Sequence, residues 1–381
     1  MTIYEYQERG RFFAQSQEEI KELAVEELME LGARNIKPGF RGIFFEADRA
    51  GLYCINYASR LISRVVAPLT SFRCHNTDYL YRKAKGISWE DFFAPHQTFA
   101  IFSHVSQSNI KHSQYASLRL KDAIADYFLE KFGQRPSIHR TNPDVWINLH
   151  IENNKAVISL DTSGGSLHRR GYRDEGREAP MQEIVAAAII RLSGWDGSKP
   201  LYDPMCGSGT LLMEALMVYG RIPSGLLRKR FGFEFMPDFD AALWREVKKT
   251  ALDGIRDVPQ DLIVGSDISP EAVAAARKNA SRLPQGDKIK LLVMDFRDIE
   301  DRGERVIITN PPYGIRLGKD QDLVSLYKDL GDFLKKKYKG SRVYIYFGNR
   351  ELIPHIGLRP SWKKALKSGG LDGRLVKFEI Y

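Results

Sequence analysis

Cysteine is scarce, with Cys54, Cys74 and Cys206 the only three in 381 residues. None sits in a CxxC, and Cys74-His75 has no second pair at ligand spacing, so the sequence supports neither a disulfide framework nor a zinc site and implies no metal. No stretch reaches the run of about 18 apolar residues that a membrane span needs. The amino terminus, MTIYEYQERGRF, also lacks an apolar signal core. The expectation is a cytoplasmic chain with no membrane partner. Low-complexity tracts are missing, as are repeats at solenoid or propeller periods. Two nucleotide signatures are missing too. No glycine loop carries a P-loop lysine before Ser or Thr, and no GxGxxG is followed about 20 residues on by an acid.

What is present is an ordinary globular composition, 43% hydrophobic and 28% charged, long enough for two or three domains. The net charge of +9 is unevenly placed. Residues 1–50 carry 7 basic and 10 acidic side chains, residues 51–160 carry 13 and 8, and residues 161–381 carry 37 and 30. The basic excess therefore lies beyond the first segment. It fits a polyanionic partner, although a surplus of this size also serves solubility alone.

Ser16 and Glu19 have capping-box spacing, and Ile20, Leu23, Ala24, Glu27, Leu28 and Leu31 then recur at helical intervals up to Gly32. This helix lies between β-like runs at Arg11–Ala14 and Gly42–Glu46, which predicts a ferredoxin-like module over residues 1–50. A second module, residues 51–162, ends in a helix over Ser117–Phe132 closed by Gly133, followed by strands Val145–Ile151 and Ala156–Leu160 joined at Glu152-Asn153-Asn154-Lys155. Residues 163–180, rich in Gly, Arg and Ser, read as a linker. From 181 to 381 strands alternate with helices, at Leu201–Asp203, Leu262–Asp267, Lys290–Met294, Val306–Thr309, Val343–Phe347 and Leu375–Tyr381. That alternation predicts an α/β domain with a parallel sheet.

Two strings carry chemistry. In LYDPMCGSGTLLMEAL a strand ends at Asp203, a loop with Gly207 and Gly209 follows, and a helix starts near Thr210. Backbone can approach a ligand closely there, and the helix start offers unpaired N–H groups. Asp267, in VGSDIS, closes the next strand ahead of the helix start Ser269-Pro270-Glu271 and can accept two ribose hydroxyls. Asp295, in LLVMDFRD, can accept from an adenine amine. Any one of these acids could be a simple cap, but the ordered series suits a cationic adenosine cofactor. The second string is NPPYG, Asn310 to Gly314, directly after VIIT. An exocyclic aromatic amine is a weak nucleophile because its lone pair is delocalised into the ring. The Asn310 Oδ1 and the Pro311 carbonyl can accept its two hydrogens, Pro311 and Pro312 fix the backbone that carries them, and Tyr313 can stack on a base swung out of its helix. A proline-ended strand with a buried tyrosine is the plain alternative.

DPMCGSGT, SDIS, MDF and NPPYG together resemble a class I S-adenosylmethionine-dependent amino-methyltransferase, the last string being shared with N6-adenine DNA methylases. NIKHSQYASLRLKDAIADYF, and LHRRGYR followed by PMQEIVAAAI, extend the likeness over nearly the full chain. The layout is similar to the RlmL family of 23S ribosomal RNA guanine-N2 methyltransferases, with a Rossmann-like methyltransferase domain after ferredoxin-like and THUMP modules. The resemblance implies that Asp203, Gly207, Ser208 and Gly209 hold the methionine end of S-adenosylmethionine, Asp267 its ribose and Asp295 its adenine, with Asn310, Pro311, Pro312 and Tyr313 on guanine. Gln182 and Glu183, on a helix beginning at Pro180, are looser cofactor contacts. Some members carry a second domain for guanine N7; this chain stops at Tyr381, so that activity is not implied.

Structured RNA is the expected partner, ribosomal first and tRNA second, with no obligate protein partner evident. Lys111, Arg119, Lys121, Arg169, Arg170 and Arg173 are candidate phosphate contacts, set against ordinary solvated surface. Arg228-Lys229-Arg230 and Lys335-Lys336-Lys337 read as exposed faces. Cys206 as a covalent nucleophile is disfavoured, because an amine acceptor needs no adduct. The alternatives are a tRNA guanine-N2 enzyme, an N6-adenine DNA methylase, or a non-catalytic RNA-binding assembly factor.

Overall fold

The computed structural model describes residues 2–173, 181–300, 303–314 and 320–381. It divides into two compact units. The first comprises Met1–Leu167 with Arg228–Thr250, and the second His168–Leu227 with Ala251–Tyr381.

The first unit is built on strands β1 (Arg11–Gln15), β2 (Arg34–Gly39), β3 (Gly42–Glu46), β4 (Arg64–Arg73), β5 (Thr98–Ser106), β6 (Ser137–Ile138), β7 (Val145–Glu152) and β8 (Lys155–Asp161). All eight join one sheet in the order β2-β3-β1-β4-β8-β7-β5-β6. The division expected at residue 50 is thus not a break in the sheet. The ten-residue β4 pairs with β1 through Arg64–Val66 and with β8 from Val66 to Arg73, so one strand serves both modules. Strict alternation sorts the faces: Ile147, Leu149 and Ile151 of β7 are buried, as are Phe12 and Ala14 of β1 and Ile43 and Phe45 of β3. Helices α1 (Glu5–Arg9), α2 (Lys21–Glu30), α3 (Arg49–Ala58), α4 (Thr77–Lys85) and α5 (Ser113–Phe132) complete this part of the chain. Asp48 caps α3 and Asn76 caps α4, each through a backbone N–H at 2.8 Å, and Gly133 ends α5 in the left-handed region.

Local chemistry departs from expectation at α2. The Ser16–Glu19 capping box does not form; a 3-10 turn over Glu18–Ile20 precedes the helix, and the Ser16 hydroxyl turns to the Gln17 carbonyl. Glu27, on the helix face assigned to the core, is buried for a polar reason. Its carboxylate accepts from the Ser59 hydroxyl at 2.6 Å and from the Arg60 and Leu61 N–H groups at 2.8 and 2.9 Å, fixing the turn after α3.

The second unit contains α6 (Glu183–Ser193), β9 (Leu201–Asp203), α7 (Thr210–Tyr219), β10 (Ile263–Asp267), α9 (Pro270–Ala280), β11 (Lys290–Val293), β12 (Val306–Thr309), α10 (Asp320–Lys337), β13 (Arg342–Phe347), β14 (Pro360–Ala365) and β15 (Arg374–Glu379); α8 (Ala241–Asp253) falls across the division near residue 250. Its sheet order is β11-β10-β9-β12-β13-β15-β14. The first five strands are parallel, as expected, whereas β15 runs antiparallel between β13 and β14. Residues 228–250, read from sequence as part of the second half, pack in the first unit, where Phe233 stacks on Tyr53 at 4.4 Å and Trp244 meets Tyr57 edge-on at 5.2 Å. Among the described residues no helix is long and apolar enough to cross a membrane and no group of side chains could hold a metal.

Candidate active site

Strand order in the second unit reverses around β9, with β10 on one side and β12 on the other. Open α/β sheets bind ligands at that point, outside the carboxyl ends of their strands. Asp267 and Asp203 are the last residues of β10 and β9, and Asp295 and Asn310 come just after β11 and β12, the four strands being neighbours in the order β11-β10-β9-β12. Three strand spacings separate the outer two, about 15 Å.

Asp203 is fully buried, accepting from the Thr309 hydroxyl at 2.7 Å and the Met205 N–H at 3.1 Å. Burial pushes its carboxyl up to about 7, against the pull of those two donors. Through Thr309 it is tied to the residue preceding Asn310. Asp267 gathers the glycine loop: one oxygen accepts from the Gly207 N–H at 2.9 Å, the other from the Ser269 N–H at 3.0 Å. The loop is further held by the Asn279 amide donating to the Ser208 carbonyl at 2.9 Å and the Cys206 N–H donating to the Ser266 carbonyl at 2.9 Å. Gly207 and Gly209 both have positive φ, and a Cβ on Gly207 would meet nothing within 4 Å, so open space lies above it. Asp295 stands apart from this network. It caps its own turn through the Arg297 N–H at 2.9 Å and pairs with the Arg297 guanidinium, which also reaches Asp329.

These residues fit S-adenosylmethionine. Space over Gly207 admits a ligand against the loop, and lone pairs of Asp267 not used by the two backbone N–H groups remain for ribose hydroxyls. Ile268, 69% exposed, follows Asp267 directly, and Val293, 46% exposed, is the register partner of Asp267 on β11. Both are aliphatic side chains left facing solvent beside Asp267. Sequence reasoning missed them because an exposed apolar residue is unremarkable until its neighbours are known. The Cys206 thiol is buried and its pKa is pushed up by that burial and by Asp203 and Asp267, which disfavours a covalent role.

At the end of β12, the Asn310 Oδ1 is buried and accepts no hydrogen bond from any described residue. An acceptor kept from water without a donor costs about 1–3 kcal/mol. Pro311 is buried, Pro312 exposed and Tyr313 half-buried. The Tyr313 ring lies over Gly348, where a Cβ would come within 2.5 Å of its Cγ. Gly348 therefore seats the ring. Only the tertiary contact gives this glycine a role; in sequence it is merely the residue after an apolar strand.

The proposed phosphate contacts scatter. Lys111 and Arg169 are exposed, Arg119 pairs with Asp78 at 3.0 Å, and Lys121 with Asp122 at 2.7 Å. Arg170 is not a surface residue: its side chain and that of Glu214 are both fully buried, 3.4 Å apart, and the Tyr172 hydroxyl donates to the same carboxylate. Arg173 donates to the Met181 carbonyl and the Thr210 hydroxyl and lies 3.5 Å from Glu183. Both arginines tie the 168–173 segment into the second unit, because an arginine in a glycine-rich stretch reads alike whether it faces water or a buried acid. Glu183 is engaged in turn: burial opposes its charge, but His168 and Arg173 hold its carboxyl below the usual range. Pro180 lies outside the described residues. Arg228 is not an ordinary exposed side chain either; it donates to the carbonyls of Ser163, Gly164, Gly165 and Ser166.

Residues 170–377 match the family described as RMKL-like, methyltransferase domain; residues 74–161 match the THUMP domain and residues 11–66 the RlmL ferredoxin-like domain. The Synechocystis sp. protein slr0064, whose name assigns it provisionally to the RNA methyltransferases, is 41% identical over 97% of both chains. The ribosomal RNA large subunit methyltransferase K/L of Syntrophotalea carbinolica is 38% identical over 97% of this chain, which spans 53% of that protein. The crystal structure of SMU.472 complexed with SAH is similar at a TM-score of 0.84 and 28% identity, over 97% of this chain and 98% of that one. With its strand-end acids, glycine loop and NPPY turn, the chain belongs to the RMKL-like methyltransferases, S-adenosylmethionine-dependent enzymes, and carries THUMP and RlmL ferredoxin-like domains ahead of the catalytic one.

Proposed function

We propose that the protein transfers a methyl group to the exocyclic N2 amine of a guanine in 23S ribosomal RNA, with the first unit engaging the RNA. The observation that carries this reading is the buried, unpartnered Asn310 Oδ1 directly after β12. An amine N–H is the donor that would satisfy it. With the Pro311 carbonyl accepting the second hydrogen, the nitrogen lone pair is turned out of conjugation and toward the cofactor side of the site. Asp203, Asp267 and Asp295 would hold S-adenosylmethionine, with Gly207, Ser208 and Gly209 along its methionine end. When bound, the cofactor supplies an electrophilic methyl on a sulfonium. Asn310 and Tyr313 would hold the amine for attack on that methyl, so that orientation would supply most of the acceleration. The methyl–sulfur bond would break as the bond to the nitrogen forms, leaving a neutral thioether, and the proton would pass from the alkylated nitrogen to water, so that no strong base is needed. The ribosomal substrate is favoured by the name of the Syntrophotalea relative together with the THUMP and RlmL ferredoxin-like matches.

Incubation with labelled S-adenosylmethionine and separate pools of under-methylated ribosomal RNA, tRNA and DNA tests the reading, the labelled nucleoside being identified by mass spectrometry. N2-methylguanosine from 23S RNA is expected, and Asn310→Ala should abolish it while cofactor binding persists. Label in tRNA would move the substrate and keep the site; label in N6-methyladenine would refute the base assignment.

A further inference from the structure

We propose that the helix-free face of the first unit's sheet is a stacking platform for a single-stranded stretch of RNA, a proposal that rests on the reading of the chain as an RNA methyltransferase. Strand parity defines the face. Ser103 of β5 turns toward α5, where its hydroxyl lies 2.6 Å from that of Ser117, so Phe102 and His104 project the other way. On β7, Trp146 and His150 alternate with the buried residues and share that side, as do Phe13 on β1 and Phe44 on β3.

The rings on this face come in pairs across neighbouring strands. Phe13 and Phe44 are register partners with centroids 4.8 Å apart. Phe102 and Trp146 are 6.2 Å apart with the Arg64 guanidinium over both, at 4.3 and 4.9 Å. His104 and His150 are register partners, 5.5 Å apart and within 15° of parallel. Phe44 is 54% exposed, a large apolar area to leave in water. Glycines make room for two of the rings: a Cβ on Gly42 would collide with the Phe13 ring at 2.3 Å, and one on Gly39 would crowd the Phe44 ring at 2.9 Å; Phe13 and Phe44 are tilted by 57° and Phe102 and Trp146 meet edge-on at 66°.

Two further observations select a nucleic acid. The His104 Nε2 and the Ser106 hydroxyl, two residues apart on β5, are buried and have no hydrogen-bond partner among the described residues, as the edge of a stacked base would supply. At the end of the same face Arg73 and Lys155, both exposed, stand directly opposite each other in register. Like charges so placed repel, and a phosphate between them would reverse the sign of that interaction. Paired rings with cations alongside are the means by which sheets hold unstacked bases, which a duplex does not present.

Full-length protein titrated with a fluorescein-labelled oligouridylate of about ten nucleotides, followed by anisotropy, tests the platform. Phe44→Ala and His104→Ala should each weaken binding by roughly tenfold or more, with melting temperature and cofactor binding unchanged. Phe44→Trp should restore it. Equal binding by both alanine variants overturns the proposal, as does a duplex of the same length that competes as well as the single strand. A protein captured from nuclease-treated lysate through Phe44, with oligouridylate binding intact in Phe44→Ala, would assign the face to a protein and also overturn it. The two readings fail separately: methyl transfer to 23S RNA without ring-dependent oligonucleotide binding leaves the function and removes the platform, and the converse does the opposite.

Discussion

Replacing Asp203 with asparagine should make the protein more stable as pH rises, although it removes a residue assigned to the cofactor. The side chain is fully enclosed, and its acceptor oxygen already takes the Thr309 hydroxyl and the Met205 N–H. An asparagine oxygen can accept both, so the substitution removes charge and keeps the bonds. The folded carboxyl titrates at about 7 against an ordinary value of 3.8. Between about pH 4 and about pH 7 the folded state therefore keeps a proton that the unfolded chain has released, and stability falls as pH rises through that window. A shift of about three units at 1.36 kcal/mol each amounts to about 4 kcal/mol, or roughly 10 °C in melting temperature for a unit of this size. Thermal unfolding of wild type and Asp203→Asn, each from pH 4 to pH 8.5, reads it directly. The two should melt alike near pH 4 and diverge up to pH 8, while the variant binds S-adenosylmethionine more weakly at pH 8, having lost the anion that faces a cationic ligand. Parallel melting profiles across the whole range would refute the reasoning.

Gly348→Ala should press a methyl into the Tyr313 ring; kcat falls by roughly 100-fold while the cofactor dissociation constant holds, and equal loss of both would mean that the loop had collapsed. Arg170→Met should lower stability by about 3–5 kcal/mol, since it removes the cation beside the buried Glu214 carboxylate. Oligonucleotide binding by that variant, measured below its melting transition, should match wild type, and a selective loss of RNA affinity would restore Arg170 to the RNA surface.

The parallel strands of the second unit were legible because apolar β-runs, four of the five closed by an acid or by Asn-Pro, are distinctive in sequence, and α9 announced itself through Ser269 and Pro270, which cap it as expected. The Asn153-Asn154 turn was equally plain, both residues adopting the positive φ that a two-residue hairpin demands. Strand β2 was not legible: RNIKPG carries two charges, Pro38 and Gly39, and becomes a strand only because β3 offers it a partner. Strand β14 hid for the same reason, as an exposed, lysine-bearing edge. In the site, motif residues could be named from their types, whereas Thr309, Gly348, Ile268 and Val293 matter only through neighbours that folding provides. Arg170 was misread because Glu214, the acid beside it in the interior, lies 44 residues away in sequence.

The excursion of residues 228–250 into the first unit also has a bearing on how the protein is made. Tyr53 stacks on Phe233, Tyr57 meets Trp244, and the Tyr6 hydroxyl donates to Asp238. During synthesis the eight-stranded sheet can pair once β8 has emerged, but these rings must wait for a segment that follows β9 and α7. The nascent chain therefore passes through a stage with an open aromatic seam, the kind of surface that chaperones hold and that aggregates when they do not. A fragment cut after residue 167 would keep that seam open permanently, so a self-sufficient first unit has to carry its distant second strip of chain, grafted back through a short linker.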